Sequence, residues 1–205
     1  MLLEVETPDG RTLGVHEAGD PAGLPVVFHH GSPGSGLLYD RWIENAEAQG
    51  IRLLGYDRPG YGRSTPKPGR SVADAAADVL AIADALGLGR FASWGFSGGG
   101  PHALACAALL PDRCFAVVSL ASVAPFVGAP GLEWYEGMGE GNVREFAAVL
   151  AGPDEHEPML EREAEGEPID QARYQRLFRT WFLLGWPAFG GLVLVYFLMV
   201  MKPGW

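Results

Sequence analysis

Short apolar segments separated by turn residues make up the first part of the chain. Leu2–Glu6 and Thr12–His16 alternate apolar and polar side chains, and the sequence PDG at 8–10 lies between them. This pattern predicts a β-hairpin. The next segment, Pro25–His29, is continuously apolar, which is typical of a strand buried on both faces.

Helical and strand patterns alternate from residue 37 to residue 120. They predict helices and strands in the order Leu37–Ala48 (helix), Ile51–Tyr56 (strand), Val72–Leu86 (helix), Phe91–Phe96 (strand), Gly98–Leu110 (helix) and Phe115–Leu120 (strand). Strands separated by helices of this length predict an α/β fold, a mostly parallel sheet with helices on both faces. Such a sheet binds its ligand at the carboxyl ends of the strands.

The alternation ends after residue 120. Gly, Pro and acidic residues then become frequent, and no charged residue occurs in 180–201. We therefore expect three regions: a core at 1–124, an acidic helical region at 125–179 and an apolar tail at 180–205.

Composition and charge narrow the classes of function. The chain has 205 residues, of which 48% are hydrophobic and 20% charged, as expected for a globular protein. The net charge of −10 argues against a nucleic acid as partner. The first ten residues carry acids where a signal peptide would need a basic flank and a long apolar core, so we expect a cytoplasmic protein.

The sequence GFSGG at 95–99 fits the pattern G-x-S-x-G between a predicted strand and a predicted helix. This is the context of a nucleophile elbow. A side chain at Gly95 or Gly99 would collide with the neighbouring strand or helix, and the turn would hold Ser97 in a strained conformation. The helix N-terminus there favours developing negative charge. The alternative is a serine that only caps the helix.

A second motif, HGSPG at 30–34, follows the third predicted strand. An oxyanion loop lies at this position in such sites. The backbone N–H groups of Ser32 and Gly98 would then converge on the substrate oxygen, with Gly31 as a motif glycine. Each donor of this kind is typically worth about 3 kcal/mol in the transition state. The alternative is a Gly- and Pro-rich turn without a function.

With these two motifs and the sequence YDRPGYGRS at 56–64, residues 2–124 resemble the α/β-hydrolase family. The chain is most similar to bacterial serine hydrolases of the esterase, peptidase and lactonase type. The resemblance implies Ser97 as nucleophile, an acyl-serine intermediate, a small ester, amide or lactone as substrate, and no metal or organic cofactor. It also implies that 125–179 is a cap and that Asp57 is structural. Dehalogenases and epoxide hydrolases are disfavoured, because their nucleophile is an Asp.

The rest of a catalytic triad has no clear counterpart. A serine needs a base to take its proton and an acid to orient that base. In this family both follow later strands, yet Ser119–Phe126 contains no acid and no further strand pattern follows Ala124. Of the five histidines, His156 is the candidate for a makeshift base, because it follows the motif in a loop. His102 is predicted to be a structural histidine on the helix after Ser97.

The tail at 180–201 leaves several interpretations open. It is long enough to span a bilayer, with arginines before it and Lys202 after it. Pro187, Gly190 and Gly191 interrupt it, so a buried strand or a cap helix also fits. A truncated or frame-shifted gene would account for both the tail and the missing last strands with their triad residues.

Three hypotheses about function follow. The first is a serine hydrolase, impaired by the loss of the acid and the histidine. The second is an inactive binding protein with the hydrolase fold. The third is a membrane-associated remnant held by 180–201, which makes membrane association the alternative to a cytoplasmic location. The sequence leaves the oligomeric state open.

The apolar tail generates a prediction about solubility. An exposed tail of this length would exceed the few hundred Å² of contiguous apolar surface that soluble monomers tolerate. The full chain should therefore aggregate or require detergent, whereas a variant that ends at Arg179 should not. Size-exclusion chromatography with light scattering measures the difference. A monomeric full-length chain without detergent would contradict both the membrane anchor and the exposed tail.

Overall fold

The sheet consists of β1 (Leu2–Glu6), β2 (Thr12–Gly19), β3 (Leu24–His29), β4 (Ile51–Tyr56), β5 (Phe91–Phe96) and β6 (Cys114–Leu120). These six strands lie in the order β1-β2-β4-β3-β5-β6. The β1–β2 and β2–β4 pairs are antiparallel, and the other pairs are parallel. The computed structural model describes residues 1–124, 131, 133–152, 154–155, 158, 175–176 and 179.

The predicted fold class is confirmed, and the hairpin at the sheet edge is present. Three helices accompany the sheet: α1 (Asp40–Ala48), α2 (Asp74–Ala85) and α3 (Gly100–Leu109). Each begins two or three residues later than predicted. At α2 the reason is local, because the N–H and the hydroxyl of Ser71 both donate to the Asp74 carboxylate, at 2.7 and 2.8 Å, and hold the preceding residues in a turn.

Helices cover both faces of the sheet. Phe28 of β3 packs edge-on against Trp42 of α1, with ring centroids 5.1 Å apart. Its neighbour His29 contacts Cys106 of α3, at 3.8 Å between Nε2 and Sγ. Successive side chains of a strand point to opposite faces, so α1 and α3 lie on opposite sides of the sheet.

The core lies between the sheet and the pair α2 and α3. Its fully buried members include Leu13, Val27, Val79, Ile82 and Phe91. They come from strands and from one helix, so burying them ties distant parts of the chain together. A side chain of this size contributes roughly 1.5–3 kcal/mol when it is removed from water.

β6 is the last strand of the sheet within the described residues. Cys114 at its start is buried, whereas Phe115, Val118 and Leu120 are exposed. The second compact unit of the chain, Gly131–Trp205, contains α4 (Glu140–Ala151). Within it the Phe146 ring packs edge-on against the Trp134 ring. Beyond α4, the predicted acidic helical region at 125–179 lies mostly outside the described residues, and the tail at 180–205 lies entirely outside them.

A buried ion pair generates a prediction about stability. Arg11 Nη2 lies 2.6 Å from Asp78 Oδ1, and the Asp78 side chain is 2% exposed. Removing one partner of such a pair leaves a buried charge behind. Asp78→Ala should therefore lower the free energy of unfolding by about 3 kcal/mol, as measured by urea denaturation.

Asp84→Ala on the same helix is the matched control. Asp84 pairs with Arg113 at 2.8 Å but is 61% exposed. Surface pairs are typically worth less than about 1 kcal/mol, so this change should have little effect. Equal losses in the two variants would show that burial of the Asp78 pair has no special role.

Candidate functional site

Ser97 lies in the turn between β5 and α3, where the sequence placed it. Its φ is 51°, in the left-handed region that residues other than glycine rarely adopt. Ser97–Gly99 form a single 3-10 turn that leads into α3. A side chain at this position is held out of the regular path of both strand and helix.

Two glycines make this turn sterically possible. A Cβ atom at Gly95 would overlap the carbonyl of Gly99, and a Cβ atom at Gly99 would overlap the carbonyl of His29. The backbones of β5, α3 and the end of β3 therefore touch at this point. These contacts agree with the prediction that a side chain at Gly95 or Gly99 would collide with its neighbours.

The loop after β3 lies directly beside the turn. A Cβ atom at Gly31 would be 3.3 Å from the Cβ of Ser97, and one at Gly98 would be 3.1 Å from the Oγ of Ser32. The structure thus brings together the predicted residues Ser97, Ser32, Gly31 and Gly98. His156 lies outside the described residues.

His30 and Arg58 connect this loop to the rest of the site. His30 Nδ1–H donates to the Gly31 carbonyl at 2.7 Å, and His30 Nε2 accepts from the Arg58 backbone N–H at 3.1 Å. Arg58 Nη2 donates to Ser32 Oγ at 2.8 Å. These bonds fix both the tautomer of His30 and the path of the loop.

The histidines around the site are held neutral. Burial lowers the pKa of His29 to about 3, and burial together with the nearby Arg58 lowers the pKa of His30 and of His102 to about 4. His102 Nδ1–H donates to the Gly98 carbonyl at 2.9 Å, a structural contact. Within the described residues Ser97 Oγ has no side-chain hydrogen bond. No base therefore contacts this hydroxyl in that part of the chain.

The Asp57 carboxylate accepts hydrogen bonds from two backbone N–H groups. Its Oδ1 accepts from the Gly36 N–H at 2.8 Å, and its Oδ2 accepts from the Arg63 N–H at 3.0 Å. The Nε2 atom of His16 lies 3.5 Å from the same carboxylate. These contacts fit the structural role expected for Asp57.

A pocket of about 520 Å³ opens at Ser97. Its walls are mostly aromatic and aliphatic, and they include Phe28, Tyr39, Trp42, Trp94 and Phe96. Ligand sites for small molecules have this size and character. The sequence analysis did not identify these aromatic residues as part of a site. The signal was present on β5, where Trp94 and Phe96 are two residues apart and therefore share a face.

This arrangement combines a helix N-terminus, a strained serine and a closely approaching loop beside an apolar pocket. It fits chemistry in which negative charge develops on an oxygen of a small, mostly apolar molecule. No group of His, Cys, Asp and Glu side chains suited to a metal ion occurs among the described residues.

Comparison with known proteins identifies the family. Residues 25–170 match the family model described as alpha/beta hydrolase fold. The match covers more than half of the chain, so the protein belongs to the α/β-hydrolase family. Residues 155–203 match a second model, described as a predicted integral membrane protein.

The similar proteins are different kinds of enzyme. The chain is 38% identical to a non-heme chloroperoxidase of Streptomyces lividans, over 59% of this chain and 45% of that protein. It is 35% identical to a proline iminopeptidase of Xylella fastidiosa, over 51% of this chain and 34% of that protein. A solved epoxide hydrolase of Vigna radiata matches with a TM-score of 0.52 and 25% identity, over 64% of this chain and 41% of the other. The chain thus spans less than half of each of these three proteins.

The comparison with membrane proteins concerns residues that lie mostly outside the described ones. In the part of the chain that the structure describes, no helix is long and apolar enough to cross a membrane.

The buried histidines generate a prediction about pH. Their pKa values fall from 6.5 to about 3 for His29 and about 4 for His30 and His102. The unfolded chain therefore binds these protons at a higher pH than the folded chain. The contribution of the neutral histidines to the free energy of unfolding should be fully present above pH 6.5. It should fall as the pH decreases toward 4, by up to about 1.4 kcal/mol per pH unit for each histidine.

Urea denaturation between about pH 7 and pH 5, above the range where most carboxylates titrate, measures this dependence. His102→Gln should reduce the slope by about one third, because one of the three groups is lost. An equal stability at both ends of this range would contradict the neutral state of the histidines.

Proposed function

We propose that the chain carries the nucleophile half of a serine hydrolase site, acting on a small ester, amide or lactone through an acyl-serine intermediate. The observation that carries the proposal is the conformation of Ser97, with φ 51° in a turn that faces the loop at Ser32. A residue other than glycine in such a backbone conformation costs about 1–3 kcal/mol, and strained residues of this kind cluster at active sites. Family membership supports a hydrolase role in general.

In this proposal the amides of Ser32 and Gly98 bind the developing oxyanion. The nearness of the two residues, with a Cβ at Gly98 only 3.1 Å from Ser32 Oγ, supports this assignment. Donors preorganised in this way stabilise the tetrahedral intermediate more than the substrate, which is what lowers the barrier. No metal or organic cofactor takes part.

The walls of the pocket support a mostly apolar substrate. His30 lines the pocket, and burial lowers its pKa to about 4, so it is neutral at pH 7. A charged acyl group would lose its hydration there without a partner. A neutral small molecule with an apolar group therefore fits best.

The proposed hydrolase is weak. Hydrolysis through a serine nucleophile needs a base. Among the described residues no base contacts Ser97. His156 remains the candidate, by its position in the sequence. Sites that keep only an oxyanion hole and a binding pocket still retain about a thousandfold acceleration over water in a known protease. We therefore expect slow or undetectable turnover of activated esters.

The rival proposal is an inactive binding protein that retains the pocket. A second candidate is a membrane-associated form, which the match of 155–203 to a predicted integral membrane protein favours. A base within reach of Ser97 would distinguish the serine hydrolase from the binding protein. The behaviour of the variant ending at Arg179 tests the membrane-associated form.

Covalent labelling tests the proposed nucleophile. A fluorophosphonate should label the full chain slowly at Ser97, because the hydroxyl is positioned but not activated. Ser97→Ala should abolish the label, which intact-mass and peptide mass spectrometry measure. Ser35→Ala is the matched control, because Ser35 lines the same pocket, and it should label like the wild type.

Two other outcomes decide between the hypotheses. If prolonged exposure gives no label at Ser97, the serine hydrolase proposal is rejected and the binding protein is favoured. Rapid stoichiometric labelling would show that a base is present. His156→Ala would then identify it if the rate fell, and would exclude His156 if it did not.

A further inference from the structure

Arg58 is a buried cation placed behind the loop that faces Ser97. It is the second residue after β4, and only 2% of its surface is exposed. Its Nη2 donates to the Gly31 carbonyl at 3.0 Å and to Ser32 Oγ at 2.8 Å. One end of the guanidinium thus holds the Gly31–Ser32 peptide.

The same guanidinium reaches the helix that follows Ser97. Its Nη1 lies 3.4 Å from the Gly98 carbonyl and 3.3 Å from His102 Nδ1, which itself donates to that carbonyl. The planar fork of an arginine can contact two segments at once, which a lysine ammonium cannot do with the same geometry. Arg58 therefore joins the β3 loop to the start of α3.

The hydrogen bond to Gly31 determines where the Ser32 amide points. In a trans peptide the carbonyl and the following N–H point in opposite directions. The Gly31 carbonyl accepts from Arg58 Nη2 and from His30 Nδ1. The Ser32 N–H therefore points away from Arg58.

The charge of Arg58 is not neutralised by an acid within the described residues. No carboxylate there lies within ion-pair distance of its guanidinium, and the oxygens of neighbouring Asp57 accept backbone N–H groups of Gly36 and Arg63. The Tyr61 ring lies 5.2 Å from the guanidinium carbon instead. A buried cation without a counter-ion is costly, and here it contacts the Gly31 carbonyl and lies 3.4 Å from the Gly98 carbonyl.

We propose that Arg58 is a positioning residue, which orients the Ser32 amide and adds a positive potential where negative charge develops. The part of this inference that concerns the oxyanion rests on the proposed function, whereas the part that concerns the loop does not. Arg58 acts through the Gly31–Ser32 peptide and does not line the pocket.

The first experiment measures the loop without any reaction. Amide hydrogen exchange, followed by mass spectrometry, compares the wild type, Arg58→Gln and Arg58→Lys. Arg63→Gln is the control, because Arg63 lies in the same segment after β4 as Arg58 but its side chain is 66% exposed. Arg58→Gln should accelerate exchange at least tenfold in residues 30–35 and 97–102. Exchange in α2 reports on the fold as a whole and should not change.

The second experiment measures the site. The rate of fluorophosphonate labelling at Ser97 should fall about tenfold to a hundredfold in Arg58→Gln, in line with losses from a misplaced or missing oxyanion donor. Arg58→Lys retains the charge but not the fork, so it should recover part of the rate. Arg63→Gln should label like the wild type.

The outcomes separate the two proposals. If the wild type is not labelled, the proposed function fails, and the exchange pattern alone then decides the loop-positioning role of Arg58. Unchanged exchange in residues 30–35, or acceleration shared equally by α2, overturns that role. Labelling rates that are equal in Arg58→Gln and the wild type overturn the electrostatic role.

Discussion

The contact between three backbones at the end of β5 is the constraint on which the site depends. At Gly95 and Gly99 the strand, the first turn of α3 and the end of β3 approach so closely that no Cβ atom fits. The chain must reverse within three residues, and Ser97 takes up a left-handed conformation as a result. Ser97 and the loop after β3 are therefore brought together by the backbone itself.

Electrostatics adds a second level of order. Arg58 lies buried between the β3 loop and α3, and its charge helps to keep His30 and His102 neutral. Neutral imidazoles can donate from one nitrogen and accept at the other, which is how His30 links Gly31 to the backbone of Arg58. If either histidine were protonated, it would lose its acceptor and stand beside a like charge. The geometry of the loop and the protonation of its residues thus depend on each other.

The fold alone does not select the reaction. The chain is similar to a chloroperoxidase, an iminopeptidase and an epoxide hydrolase, which are three different kinds of enzyme. One fold supports many chemistries because the reaction is set by a few side chains around a shared turn. In this chain Ser97 and the aromatic pocket are the features on which the proposed function rests. The described sheet ends at β6, and within the described residues no base contacts Ser97.

Local sequence was sufficient for the hairpin, the alternating strands and helices, and the turn at Ser97, because each depends on periodicity or on glycine at a position without room for a side chain. It placed the starts of the helices less well, since the Ser71–Asp74 contacts that delay α2 compete with helix formation locally. The strand order, the aromatic wall and the role of Arg58 required the tertiary structure. Arg58 lies 26 residues from Ser32 and 40 from Gly98 along the chain, and only the parallel pairing of the strands brings their loops to one edge of the sheet.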